Sequence, residues 1–85
     1  MIATIDVKAV GSGGDICAGT GKVWVVSTNI ERPVQTINAS SNKIEAVFLQ
    51  HATQQPFKVD GGARSSAGYT WISGYHSKTV WVMKN

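Results

Sequence analysis

Two stretches of this chain match each other, and that internal repeat restricts the fold more than any other feature. Gly13-Gly14-Asp15-Ile16-Cys17-Ala18-Gly19-Thr20-Gly21-Lys22-Val23-Trp24-Val25-Val26-Ser27 returns, with small gaps, as Gly61-Gly62-Ala63-Arg64-Ser65-Ser66-Ala67-Gly68-Tyr69-Thr70-Trp71-Ile72-Ser73. The offset is roughly 46 to 48 residues, a period typical of repeat-built folds. The match persists downstream, where Arg32 to Asn38 lines up with Lys78 to Lys84. It is looser upstream, where Ala3-Thr4-Ile5 resembles Ala46-Val47-Phe48 and the second copy is longer around His51 to Gln55. A unit of this kind is one supersecondary element that cannot bury its own apolar face, so copies must stack.

The residue types say what the unit is made of. Val, Ile and Thr are abundant beside a single leucine, Leu49, and β-branched side chains suit a pleated surface better than a helix. No window carries apolar residues at helical spacing for three turns. Turn formers punctuate the chain at 11–14, 19–21, Asn29, 38–42, 61–62, Gly68 and Gly74, leaving strand-sized segments between them. The expectation is an all-β fold with four strand candidates per copy: 2–10, 14–19, 22–28 and 33–38, then 43–50, 57–67, 69–75 and 78–84. The single domain over 1–85 thus holds two repeats, about 2–38 and 43–85.

A glycine pair, a short small-residue strand, Gly-x-Gly, the Val23-Trp24-Val25 type strand, Val34-x-x-Ile37 and the Asn38-Ala39-Ser40-Ser41-Asn42-Lys43-Ile44 turn resemble blades of the YVTN and virginiamycin-B-lyase-like β-propellers. The resemblance spans nearly the whole chain and rests on repeat features, not on a catalytic signature. It implies two four-stranded antiparallel blades per chain whose faces stack on neighbouring blades, with strands running outward from a channel. A small eight-stranded β-barrel or sandwich is the alternative that composition allows, but it does not explain the repeat.

Two blades cannot close a ring, since propellers need roughly four to eight. The resemblance makes residues 2–10 an outermost strand and 78–84 a third strand, so the second blade lacks its outer strand. The expected remedy is a homo-oligomer in which 2–10 of one chain pair with 78–84 of the next. Three chains with six blades is the preferred count, four chains with eight the next, and two chains with four the last.

Chemistry is faint. Eight Lys+Arg against five Asp+Glu give +3, but the basic residues are scattered singly, with no stripe for a phosphate backbone to follow. No apolar run approaches the ~20 residues of a membrane-spanning helix. Nucleic-acid and membrane partners are therefore not expected. One cysteine, Cys17, leaves no disulfide framework or multi-thiolate zinc site, and without a leader-like start the default compartment is the cytoplasm. No catalytic motif, cofactor or metal site is read. His51 and His76 fall in different linkers.

Five residues are candidates for ligand binding. Asp15 and Arg64 follow the glycine pairs, where the blade pattern puts the channel. Arg64 either forms a cationic collar for a carboxylate or phosphate or is neutralised by Asp15 or Asp60. Tyr75 and His76, with Tyr69, would form a polar-aromatic pocket at a blade junction. Trp81 stands where the first copy has Gln35, as a seam anchor or a stacking platform for a sugar. Trp24 and Trp71 share a repeat position suited to blade packing, with ligand stacking the lesser reading. The leading expectation is a non-enzymatic binding or scaffold protein, with a carbohydrate or small anion as ligand. A small lyase- or hydrolase-like propeller enzyme and an assembly fragment without ligand are the alternatives.

Overall fold

Two residues of left-handed backbone set each half of this fold in motion. In a computed structural model, which describes residues 4–8, 14–50, 57–59, 61–74 and 78–85, Thr20-Gly21 (φ 39° and 76°) and Ala67-Gly68 (φ 53° and 83°) each turn a tight hairpin. Consecutive positive φ values mark the primed turn whose twist matches that of paired strands. The first hairpin joins β1 (Asp15–Gly19) to β2 (Lys22–Val26), and the second joins β5 (Ala63–Ser66) to β6 (Tyr69–Gly74). Even the supporting bonds repeat: Ala39 N–H donates to Gly21 O at 3.0 Å, and Asn85 N–H to Gly68 O at 2.9 Å.

β3 (Val34–Asn38) and β4 (Lys43–Phe48) complete an antiparallel sheet of order β1-β2-β3-β4, while β7 (Thr79–Lys84) ends a second of order β5-β6-β7. Every described pairing is antiparallel and joins strands consecutive in sequence, and no helix occurs among the described residues. The Asn-rich turn between β3 and β4 is built by Asn38. Its Oδ1 accepts from the N–H groups of Ser40 and Ser41 at 2.8 and 3.1 Å, and Asn42 takes φ 58°. An Asn side chain that closes its own turn explains this composition.

The sheets face each other across one core. Trp24, Val26 and Val34 from the first sheet meet Ala63, Ile72 and Trp81 from the second, with Phe57 and Val59 between them. Register accounts for the sidedness: Asp15, Val26, Val34 and Phe48 are direct cross-strand partners on one face, as are Ala63, Ile72 and Trp81. Trp24 stacks on Phe48 at 6.0 Å, and Phe57 meets Trp81 edge-on at 5.1 Å.

Several sequence expectations shift. The segment 43–50, grouped by sequence with the second copy, supplies the outermost strand of the first sheet. The candidate 57–67 is strand only at Ala63–Ser66; residues 57–59 fold back instead, with Phe57 N–H donating to Leu49 O at 3.1 Å. Of the candidate 2–10, residues 4–8 carry no strand. They lie across β3, where Gln35 Nε2 donates to Val7 O at 2.6 Å and Asn29 Nδ2 to Lys8 O at 2.6 Å. A strand needs an open sheet edge for its ladder, whereas the Gln35 and Asn29 side chains are what hold Val7 and Lys8 here.

Candidate functional site

β1 and β5 bring the sheets closest, and chemistry gathers along them. The Asp15 carboxylate spans the gap: Oδ2 accepts from Ala63 N–H at 2.9 Å and from Arg64 Nη1 at 3.1 Å, and Oδ1 accepts from Ile16 N–H at 2.8 Å. The backbone N–H groups of Ala63 and Ile16, with the Arg64 guanidinium beside them, hold its carboxyl below the usual carboxylate range. Hydrogen bonds to the charged form favour that form. Arg64 Nη1 also donates to Ala63 O at 2.9 Å, yet the Arg64 side chain remains 81% exposed. The structure therefore brings Asp15 and Arg64 together as an ion pair with the guanidinium at the surface.

Further along the same strands, Cys17 Sγ lies 3.4 Å from Ser65 Oγ, which is 2.7 Å from Thr70 Oγ1, and Thr70 Oγ1 donates to Asn85 Oδ1. Gly19 is needed beside this chain, because a Cβ there would stand 2.7 Å from Ser65 Cβ. Cys17 is half-buried and packed against the core.

The aromatic candidates separate. Trp81 is only 4% exposed, packed on Phe57 inside the core, so its ring presents no free face to a sugar. Its bulk answers Phe57, which lies just past the extra residues of the second copy; that insertion was the available sequence signal. Tyr75, His76, His51 and Asp60 lie outside the described residues. The shared repeat position of Trp24 and Trp71 did not reveal that the two differ in exposure. Trp24 is 1% exposed, whereas Trp71 is 49% exposed and lines a groove of about 330 Å³ with Arg64, Ser73 and Val80. Tyr69, Val80 and Val82 are exposed on the same outward side of the second sheet.

A second groove of about 210 Å³ lies between the β2–β3 loop and the 57–59 segment, with Asn29, Pro33 and Lys58 in its walls. Among the described residues no group of three His, Cys, Asp or Glu side chains converges as a metal site. Compared with known protein families, with curated proteins and with solved structures, the chain matches none.

Proposed function

We propose that this chain is a non-enzymatic binding scaffold that works as a closed ring of identical copies, each contributing two propeller-type blades. Three chains and six blades is the preferred closure, with four and eight next. The observation that carries the reading is the inequality of two matched faces: Trp24 is buried against the second sheet, while Trp71, at the same repeat position, faces outward. Among the described residues the second sheet also has three strands where the first has four. Exposed apolar faces of this kind mark interaction surfaces.

The ligand surface in this reading is the inner rim formed by β1 and β5, where the Arg64 guanidinium reaches the Asp15 carboxylate. A sugar or a small anion suits that pair, through hydrogen bonds to hydroxyls or a charge-assisted contact to an oxyanion. Native mass spectrometry and light scattering at micromolar concentration should return three or four times the 9.1 kDa chain mass. A single-chain mass that persists at high concentration would refute the proposal.

A further inference from the structure

We infer that the outward face of the second sheet docks onto the outward face of the first sheet in a second copy of this chain, head to tail. The inference rests on the ring reading above and specifies which faces meet. Its basis is the groove beside Trp71. In the register set by the matched hairpins, Gly62, Arg64, Trp71, Ser73 and Val80 of the groove correspond to Asp15, Cys17, Trp24, Val26 and Val34. Three of those counterparts are core residues, and Cys17 packs against the core. Asp15 holds the second sheet by its carboxylate. The groove is thus the second sheet's version of the surface on which, in the first sheet, a neighbouring sheet already sits.

The same correspondence names the occupant. Within the chain, that surface is covered by Ala63, Ile72 and Trp81, cross-strand neighbours on the second sheet's inward face. Their counterparts are Ile16, Val25 and Gln35, cross-strand neighbours on the first sheet's outward face. Ile16 is 62% and Val47 39% exposed on this face, apolar side chains that a docked sheet would cover. The segment 4–8 lies on Gln35 as Phe57 lies on Trp81, so the first sheet already carries the filler that the junction needs. Because the two faces differ, the contact is heterologous, and repeating the step that relates the two sheets of one chain propagates head to tail, closing into a ring where the rotation fits, instead of forming a two-fold dimer.

The close contact of Cys17 with Ser65 inside the chain has its counterpart between copies in Arg64 with Ala18. The test is the double variant Arg64→Cys with Ala18→Cys in a Cys17→Ser background, oxidised and run without reductant. Disulfide-linked multimers are expected, whereas either single variant should give none beyond dimers. Trp71→Arg, and Val80→Lys as a second variant in case the first perturbs folding, should lower the native mass to that of one chain while circular dichroism stays β-type. An oligomer that forms no crosslink and keeps its mass in both charge variants would overturn the docking and leave the ring reading standing. A wild-type protein of single-chain mass would overturn both.

Discussion

The two sheets are built from the same hairpin yet end in different conditions. The first is finished: four strands, one face sealed by the second sheet, and β3 covered on both sides, with Gln35 and Thr36 buried despite their polarity. The second has three strands among the described residues and one sealed face, and its other face shows Tyr69, Trp71, Val80 and Val82. A repeat position therefore does not fix an environment. What decides is whether a neighbour stands on that side, and within one chain only one junction exists.

The contrast can be broken most directly at the paired tryptophans. Trp24→Ala should destabilise the fold by about 3–5 kcal/mol, as loss of a fully buried aromatic does. Trp71→Ala, measured in guanidinium titrations at high dilution, should cost about 1 kcal/mol or less. Equal losses would mean that the outward face is not free in the isolated chain. Next comes Gly14→Ala, where φ is +122° and a Cβ would meet Val26 O at 2.7 Å. Strain of that kind costs about 1–3 kcal/mol, and a melting curve unchanged by the substitution would contradict the geometry at the entrance to β1.

Asp15 tests the junction through pH. Its folded-state pKa is depressed, so the stability it contributes is complete above the unfolded value of about 4 and is lost as pH falls through the lower folded value. Asp15→Asn should therefore flatten the acid limb of the stability profile while leaving the neutral-pH fold intact. An acid limb that keeps its shape in the variant would assign it to other carboxylates. The smallest effect is expected at the second hairpin. Ala67→Asn places a residue that tolerates φ 53° in an Asn-Gly primed turn, with a gain on the order of 0.5 kcal/mol, read as a small rise in Tm.

Much of this was legible beforehand, for identifiable reasons. The Gly-rich turns and β-branched runs located every described strand but β5 to within about two residues, because turn chemistry is local. Arg64 pairs with Asp15, one of the two carboxylates that the sequence placed near it. Phe57-Lys58-Val59 misled because it alternates like a strand, and alternation does not reveal whether a sheet edge is available. Trp71 and Trp81 exchanged parts for a related reason. Sequence gives the position of an indole in a repeat but not which side of the sheet meets a neighbour, and Trp81 owes its burial to Phe57, contributed from outside the repeated strands.

The Asp15 clamp has one more implication. Its counterpart in the second sheet is Gly62, which has no carboxylate to reach across, so in a ring only every other spoke would be tied. Dilution would then part the assembly between molecules well before any molecule opened internally, leaving intact two-blade pieces able to recombine.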